Sequence, residues 1–333
     1  MRLKIAVLGA GSWGTTVATL ASHNASTILW ARRPDLTDEI NRDHTNHAYL
    51  PGFTLPPDLP ATASIEEAVR DVDVVIIGVP SHGFRQVLEE LKRFIRPSVP
   101  IVSLAKGLEE DSDLRMTEVI SEVLPENPTA ALTGPNLAQE IMSGYAAASV
   151  IATKNGAVAT SLQDVFKSGL FRVYTNHDVI GCELGGALKN VIAIACGMGD
   201  GMGVGDNTRA AVITRGLAEL TRLGVAMGGE SRTLAGLAGL GDLVATCASR
   251  QSRNRFVGEQ LGKGRKIAEI IDEMHMVAEG VRTSRVVMDL ANRNGIEMPI
   301  AREVHGAIHE GRTARQAYRG LIRHRPGSED DPA

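Results

Sequence analysis

A short apolar strand that runs into a glycine-rich turn and then a helix opens the chain. Leu3–Leu8 has strand composition, the turn reads G-A-G-S-W-G from Gly9, and a helical pattern follows. In this context Gly9 permits the tight turn, Gly11 lets the backbone approach a pyrophosphate, and Gly14 lets the helix pack on the strand. The N–H groups at the helix start then face an anion. The pattern favours a dinucleotide site over an ordinary tight turn.

The second predicted strand is followed by two arginines. Ser26–Ala31 has strand composition, and Arg32 and Arg33 come next, where a fold specific for NAD places an acidic residue for the ribose 2′-hydroxyl. A guanidinium group suits a 2′-phosphate in charge and in bidentate geometry. Two solvated arginines are the alternative. The pattern favours NADP as the cofactor, with NAD also open.

Strand and helix patterns alternate through the first half of the chain. This alternation predicts an α/β fold with a Rossmann-type, doubly wound, mainly parallel sheet over residues 1–177. Ligands bind such sheets at the carboxyl ends of the strands, where Lys106 and residues 134–138 would lie. The later predicted strands are 73–80, 100–104, 129–133, 147–152 and 171–174, and the helices between them are 81–91, 113–124 and 157–166.

Helical periodicity alone continues from residue 178 to about 323. It predicts a separate all-α domain, which would bind the substrate, over 178–323. The last ten residues, 324–333, are polar and predict a disordered tail. The predicted helices are Val179–Cys196, Asn207–Met227, Thr233–Thr246, Ser252–Gly262, Lys266–Met274, Ser284–Arg293, Pro299–His309 and Ala314–Arg319.

Composition excludes several classes of protein. The 333 residues carry a net charge of −4, which gives no general basic signal for nucleic acid. No apolar run reads as long enough for a membrane span, so no membrane insertion is expected. The three cysteines form no C-x-x-C and the histidines form no H-E-x-x-H. These features predict reduced thiols in a cytoplasmic protein and no metal site.

A single lysine interrupts an apolar helix pattern in the second half. Lys189 follows Gly185, Gly186 and Ala187 and is flanked by Leu188 and other apolar residues. Desolvation lowers the pKa of a lysine toward the range of a general acid or base, and small neighbours leave room for a ligand. A lysine whose charged end reaches solvent from a half-buried helix is an equally good interpretation.

Two further segments carry polar groups in apolar or helix-start contexts. Asp242, in G-L-G-D-L, is predicted to cap a helix, to hold Lys189 or to bind a substrate hydroxyl. Residues 246–256 combine arginines with hydrogen-bond donors at a predicted helix start, which favours a phosphate site over a solvated basic helix face. A redox cofactor, an acid/base lysine and a phosphate pocket together suggest hydride transfer to a small phosphorylated carbonyl compound.

Six segments carry a family resemblance, and they are 9–15, 105–107, 134–138, 183–191, 239–243 and 251–254. In sequence and order they resemble the bacterial NAD(P)-dependent glycerol-3-phosphate dehydrogenase family. L-K-N-V at 188–191 and Q-S-R-N at 251–254 are the most specific. The resemblance implies reversible reduction of dihydroxyacetone phosphate to sn-glycerol 3-phosphate for phospholipid synthesis, by a cytoplasmic enzyme that forms a homodimer.

The resemblance also implies the site residues. Lys189 would donate the proton in reduction and accept it in oxidation. The cofactor would be held by Gly9, Gly11, Ser12, Trp13, Gly14, Arg32, Arg33, Tyr49, Lys106, Ala138, Arg253, Val277 and Glu279. The substrate would be held by Lys106, Gly134, Asn136, Lys189, Asp242, Ser252, Arg253 and Asn254. Asn136 stands where the family more often has Ser or Thr.

Two alternatives remain at this stage. A related two-domain dehydrogenase, of the 6-phosphogluconate or hydroxyisobutyrate type, would share the sheet and the helical domain. The Q-S-R-N segment argues against it. A nucleotide-binding regulator without turnover would share the glycine turn. The lysine and the phosphate pocket argue against that interpretation.

Overall fold

The computed structural model describes residues 2–274 and 277–323. The tail predicted at 324–333 lies outside these residues. The chain forms two compact units, Met1–Lys106 with Leu114–Val179, and Gly107–Asp113 with Ile180–Ala333. The sequence interpretation placed the division at 177/178 and assigned 107–113 to the first domain. The short segment 107–113 instead belongs to the second unit.

The first unit contains one eight-stranded sheet in the order β3-β2-β1-β4-β5-β6-β7-β8. Every neighbouring pair is parallel except β6 and β7, which are antiparallel. This confirms the predicted Rossmann-type, mainly parallel sheet. The strands are β1 Lys4–Leu8, β2 Ser26–Trp30, β3 Ala61–Thr62, β4 Val74–Ile77, β5 Ile101–Ser103, β6 Thr129–Thr133, β7 Ala147–Ala152 and β8 Phe171–Asn176.

Apolar side chains cover both faces of the sheet because successive residues of a strand point to opposite sides. Ile5 and Val7 of β1 join one core cluster, and Ala6 and Leu8 join another. The helices that cover the sheet are α1 Ser12–Ser22, α2 Pro34–Asp43, α3 Ile65–Ala68, α4 Ser81–Leu91, α5 Met116–Val123, α6 Ala138–Met142 and α7 Gly156–Val165. The two-residue strand β3 and the short helix α6 have no clear sequence pattern and were not predicted.

Helix α5 starts later than the sequence predicted. The predicted start, Asp113, has φ of 59°, which is left-handed backbone that an α-helix does not contain. The helix therefore begins at Met116, and Asp113 belongs to the segment 107–113, which is part of the second unit.

From residue 178 onward the described residues form helices joined by turns and contain no strand, as predicted. The second unit also includes the non-helical segment 107–113. Its elements are α8 Val179–Met202, α9 Asp206–Ala226, α10 Ser231–Leu234, a π-helical turn Leu237–Gly241, α11 Asp242–Ala248, α12 Arg253–Gly262, α13 Ile267–Glu273, α14 Glu279–Asn294, α15 Pro299–His309 and α16 Ala314–Arg323. The segment 107–113 is held to α14 by ion pairs, because Arg282 contacts Glu110 at 3.0 Å and Arg293 contacts Asp113.

The predicted helix Thr233–Thr246 is wrong as a single element. The chain forms α10, the π-helical turn and α11 over this stretch, and Gly236 has extended backbone between the first two. Glycine lowers helix stability, and three of them occur within six residues here. Helix α14 also begins earlier than predicted, at Glu279, and α8 continues to Met202.

Most of helix α8 is buried. By length and composition it is apolar enough to cross a membrane, contrary to the sequence interpretation that no run reached this length. However, 83% of its most apolar window is buried inside the protein. Leu184, Leu188 and Val191 lie in the main core cluster of the unit. Such burial is typical of the core helix of a globular domain.

A buried carboxylate accepts hydrogen bonds from the N–H groups at the start of α15. Glu219 on α9 is 3% exposed, and its oxygens accept the N–H groups of Ile300 at 2.8 Å and Ala301 at 3.2 Å. Burial raises the pKa of Glu219 to about 7, although these two N–H groups, Arg222 and Arg215 act in the opposite direction. The fold therefore disfavours the ionised form of this side chain.

The raised pKa of Glu219 predicts a pH-dependent loss of stability. Its contribution is fully present below the unfolded pKa of 4.5 and is lost as pH rises through the folded value of about 7. The parent should lose stability as pH rises from about 5 to about 8, whereas Glu219→Gln should not. The free energy of unfolding of the variant minus that of the parent should therefore increase by up to about 3 kcal/mol over this range. Urea unfolding at both pH values measures this. A difference between variant and parent that is independent of pH would contradict it.

Candidate active site

The glycine turn between β1 and α1 contains two glycines that the protein itself requires. A Cβ on Gly9, which has φ of 125°, would lie 2.7 Å from the carbonyl carbon of Gly78. A Cβ on Gly14 would lie 1.9 Å from the Gly9 carbonyl oxygen. A Cβ on Gly11 would meet no atom within 4 Å, and Gly11 provides no side-chain cap to α1. Open space thus lies at the positive end of a helix, which fits a pyrophosphate.

Three of the residues assigned to the cofactor lie around this turn. Ser12 Oγ donates a hydrogen bond to the Tyr49 carbonyl oxygen at 2.7 Å. Trp13 is half-buried, with its ring 6.4 Å from that of Phe171. Its indole Nε1 is buried without a hydrogen-bond partner among the described residues. The structure therefore brings Ser12, Trp13 and Tyr49 to the glycine turn, and their contacts with a cofactor remain predictions.

The two arginines after β2 differ in their surroundings. Arg33 donates from Nε and Nη2 to the two carboxylate oxygens of Asp35, at 3.1 and 2.6 Å. This hydrogen bond raises the pKa of Arg33 and lowers that of Asp35. Arg32 is exposed, and the described part of the chain gives it no carboxylate partner. Asp35 would therefore compete with a 2′-phosphate for Arg33, whereas Arg32 has no such competitor.

Polar groups gather at the ends of β5 and β6. Lys106 Nζ donates to the Gly134 carbonyl oxygen at 2.6 Å, and Ser149 Oγ donates to Asn136 Oδ1. Asn136 Nδ2 and Thr133 Oγ1 are buried without partners among the described residues. Buried polar groups normally have partners, so a polar ligand at this edge would complete their hydrogen bonding. Ala138, the other residue predicted here, begins α6.

Lys189 lies inside the second unit with a carboxylate beside it. Its side chain is 6% exposed and Nζ donates to Asp242 Oδ1 at 2.8 Å. Nζ also donates to Thr246 Oγ1 at 2.5 Å. This geometry excludes the solvent-reaching lysine that the sequence left open. It also agrees with one role predicted for Asp242, which is to hold Lys189.

The sequence interpretation placed Thr246 in the candidate phosphate segment 246–256 and missed its contact with Lys189. Its hydroxyl accepts from Lys189 and in turn donates to the Asp242 carbonyl oxygen at 2.7 Å. The available signal was spacing, because residues four apart share one face of a helix. A predicted site at Asp242 on a helix therefore implicates Thr246 as well.

Close backbone approach brings α8 to the segment that carries Asp242. A Cβ on Gly185 would lie 2.6 Å from the Ala238 carbonyl oxygen. A Cβ on Gly239 would lie 1.9 Å from the Leu234 carbonyl oxygen. The π-helical turn ends immediately before Asp242. These glycines explain how a lysine and an aspartate 53 residues apart reach each other in the core.

The start of α12 was predicted as a phosphate site. Ser252 caps the helix by accepting the Arg255 N–H at 3.2 Å. Asn254 is 8% exposed, and its amide donates to Asn190 Oδ1 and accepts from the Gly280 N–H, both at 2.9 Å. The side chain therefore joins α12 to α8 and α14, and one amide hydrogen remains for a ligand.

Arg253 lies on the same helix start and is accessible to solvent. Surrounding protein atoms lower its pKa, while the Glu279 carboxylate acts in the opposite direction. Glu279 begins α14, and Val277 is half-buried just before it. The structure therefore places Arg253 and Glu279 within electrostatic reach of each other, and their contacts with cofactor or substrate remain predictions.

Comparison with known proteins agrees with these features. Residues 4–159 match the family model described as NAD-dependent glycerol-3-phosphate dehydrogenase N-terminus, and residues 178–319 match the corresponding C-terminus. The chain is 60% identical over 332 residues to glycerol-3-phosphate dehydrogenase [NAD(P)+] 2 of Sphingopyxis alaskensis, covering 100% of both chains. It is 54% identical to a Mycobacterium avium glycerol-3-phosphate dehydrogenase [NAD(P)+], covering 98% of this chain and 96% of that one.

A solved structure shares the fold. The crystal structure of glycerol-3-phosphate dehydrogenase from Coxiella burnetii superposes with a TM-score of 0.93 at 38% identity, covering 97% of this chain and 99% of that one. The two family models together span nearly the whole chain. The protein therefore belongs to the NAD-dependent glycerol-3-phosphate dehydrogenase family.

Proposed function

We propose that Lys189 is the proton donor when this NAD(P)-dependent glycerol-3-phosphate dehydrogenase reduces dihydroxyacetone phosphate to sn-glycerol 3-phosphate. In the reverse reaction the neutral amine would accept the same proton. The observation that carries this proposal is the buried Lys189 ammonium group, held by Asp242 and Thr246. Two of its three N–H hydrogens are used by these partners, and the third has no partner among the described residues.

The third N–H hydrogen gives Lys189 its role. It would point to the C2 carbonyl oxygen of the substrate, polarise that carbonyl group and pass a proton to the oxygen as negative charge develops. The Asp242 carboxylate compensates the buried charge before the reaction. Thr246 fixes a second N–H direction, so the ammonium group cannot rotate freely. Both partners thus orient the proton without taking part in its transfer.

The glycine turn would hold the cofactor. Gly9, Gly11 and Gly14 would shape the pyrophosphate site, with Ser12 and Trp13 beside it, and Arg32 would contact a 2′-phosphate. NADPH, when bound, supplies the hydride that is transferred to the substrate carbonyl carbon. Tyr49, Lys106, Ala138, Arg253, Val277 and Glu279 remain further proposed cofactor contacts.

The substrate phosphate would bind at the start of α12. Arg253 is an accessible guanidinium group beside helix N–H groups that favour an anion. Ser252 and Asn254 shape this helix start through the hydrogen bonds described above. Lys106, Gly134 and Asn136 are the other proposed substrate contacts, because unpartnered buried polar groups lie at that edge of the sheet.

Removing the Arg253 guanidinium should weaken substrate binding. We expect Arg253→Ala to raise the KM for dihydroxyacetone phosphate about tenfold to about a hundredfold, because a charge-assisted hydrogen bond to phosphate is lost. Initial rates at saturating NADPH measure this. Arg265→Ala is a matched control, because Arg265 forms an ion pair with Glu273 at 2.6 Å and does not belong to the start of α12. An unchanged KM would remove Arg253 from the phosphate site.

A direct assay tests the reaction and the cofactor preference. NADPH and NADH are each mixed with dihydroxyacetone phosphate, and loss of absorbance at the nicotinamide band is followed. We expect oxidation of both, with NADPH preferred because Arg32 is available for a 2′-phosphate. Cofactor binding without oxidation would favour another carbonyl substrate or the non-catalytic regulator. A marked preference for NADH would contradict the role of Arg32.

We also propose a cytoplasmic homodimer that supplies phospholipid synthesis and does not insert into a membrane. Burial of most of α8 inside the protein supports the last point. Light scattering at several protein concentrations would test the dimer. A monomer at all of them would overturn that part of the proposal.

A further inference from the structure

A closed loop lies against the glycine turn in the first unit. Helix α2 ends at Asp43, and the next residue, His44, has φ of 53°. The loop closes where the Leu55 N–H donates to the His44 carbonyl oxygen at 2.7 Å. Thr45 and Thr54 form an antiparallel bridge across its base. Leu50 and Leu55 are buried. Residues 44–55, called here the 44–55 loop, therefore form a compact element with its own anchors.

One asparagine of the 44–55 loop is completely buried against the turn. Asn46 is 0% exposed. Its Nδ2 donates to the Ala10 carbonyl oxygen and to Thr15 Oγ1, both at 2.9 Å. Its Oδ1 accepts the Tyr49 N–H at 3.2 Å. Because a carbonyl oxygen can only accept, the contact with Ala10 defines which amide atom is the nitrogen.

These hydrogen bonds connect three parts of the dinucleotide site. Ala10 lies between the first two glycines of the turn, and Thr15 lies in the first turn of α1. Two hydrogen bonds hold the backbone of Tyr49. Its N–H donates to Asn46 Oδ1, and its carbonyl oxygen accepts from Ser12 Oγ. A single buried amide thus fixes the turn, the helix start and the loop relative to one another.

We propose that Asn46 is a positioning residue for the dinucleotide, which preorganises the glycine turn without touching the cofactor. The proposal rests on the proposed function, because it assumes that the turn binds NADPH. A preformed site loses less conformational freedom on binding. Loss of the Asn46 amide donors should therefore weaken cofactor binding, and the apo turn should become more mobile.

A matched control separates this role from general stabilisation. Asn127 is also buried, and its Nδ2 donates to the carbonyl oxygens of Arg96 at 3.0 Å and Val99 at 2.8 Å. It lies in the same unit and makes no hydrogen bond to the glycine turn. Asn127→Ala therefore removes a similar buried amide from another place.

The experiment compares Asn46→Ala, Asn46→Asp and Asn127→Ala in the full chain. Asn46→Asp keeps the side-chain size and an oxygen for the Tyr49 N–H, but its ionised carboxylate cannot donate to Ala10 or Thr15. We expect both Asn46 variants to raise the Kd for NADPH about tenfold, measured by fluorescence titration, and Asn127→Ala to leave it within about twofold. Amide hydrogen exchange without cofactor should accelerate at residues 10–15 only in the Asn46 variants.

The KM for dihydroxyacetone phosphate at saturating NADPH should stay within about twofold of the parent in the Asn46 variants. An unchanged Kd in Asn46→Asp, or equal weakening in Asn127→Ala, would overturn the proposal. If Asn46→Ala does not fold, Asn46→Asp decides the question. A parent protein that binds NADPH without reducing dihydroxyacetone phosphate would overturn the proposed function, while the Kd comparison would still decide the role of Asn46.

Discussion

Replacing Lys189 with alanine will lower kcat for dihydroxyacetone phosphate reduction by about a thousandfold or more. The variant loses the proton donor and the positive charge that stabilises the developing alkoxide. The Kd for NADPH should stay within about twofold, because the glycine turn is built from other residues. Steady-state rates and fluorescence titration of the same preparation measure both quantities.

A second substitution separates proton transfer from charge. Lys189→Arg keeps a cation for Asp242, but a guanidinium group does not release a proton in proteins. We expect its kcat to stay low as well. Lys263→Ala is the control, because Lys263 is half exposed and paired with Glu259 on the surface. Near-normal turnover in either Lys189 variant would show that another group supplies the proton.

Replacing Asp242 with alanine will destabilise the protein by about 3–5 kcal/mol. The ion pair between Asp242 and Lys189 is almost fully buried, with side chains 2% and 6% exposed. Removing the carboxylate leaves the ammonium group without its counter-charge in a medium that solvates charge poorly. Urea unfolding of parent and variant at neutral pH measures the change in free energy of unfolding.

The same argument predicts that removing both charges will restore much of this stability. Lys189→Met/Asp242→Leu leaves no charge at this buried pair, so the double variant should be more stable than Asp242→Ala while being inactive. Glu259→Ala breaks the more exposed pair with Lys263 and should change stability by less than about 1 kcal/mol. Equal losses from Asp242→Ala and Glu259→Ala would contradict a special role for burial.

Local sequence was sufficient for the features that repeat at short range. The strand, glycine turn and helix at residues 3–20 each depend on the types of neighbouring residues, so the local sequence predicts them. The same holds for the alternating pattern that predicts a mainly parallel sheet, and for the helical period after residue 178. The prediction failed over 233–246, where propensity alone could not show that a π-helical turn would separate two helices.

Lys189 shows what local sequence can predict and what requires the tertiary structure. The sequence placed it in an apolar helix, yet equal arguments supported a buried acid/base group and a solvent-reaching side chain. Only the tertiary structure decided between them, because Asp242 and Thr246 are more than fifty residues away in the chain. Gly185 and Gly239 were visible as glycines, but the close backbone contacts that require them were not.

The sequence by itself determined the fold class, through patterns within short segments. The resemblance of six short segments indicated the family. What only the tertiary structure decided was which polar groups meet. Asn46 reaches the glycine turn across 36 residues, and Asn254 bridges to Asn190 across 64. Glu219 accepts a hydrogen bond from the start of a helix 81 residues away. Hydrogen bonds and ion pairs of this kind depend on the packing of distant segments, and the hydrophobic period that reveals each segment does not specify its partner.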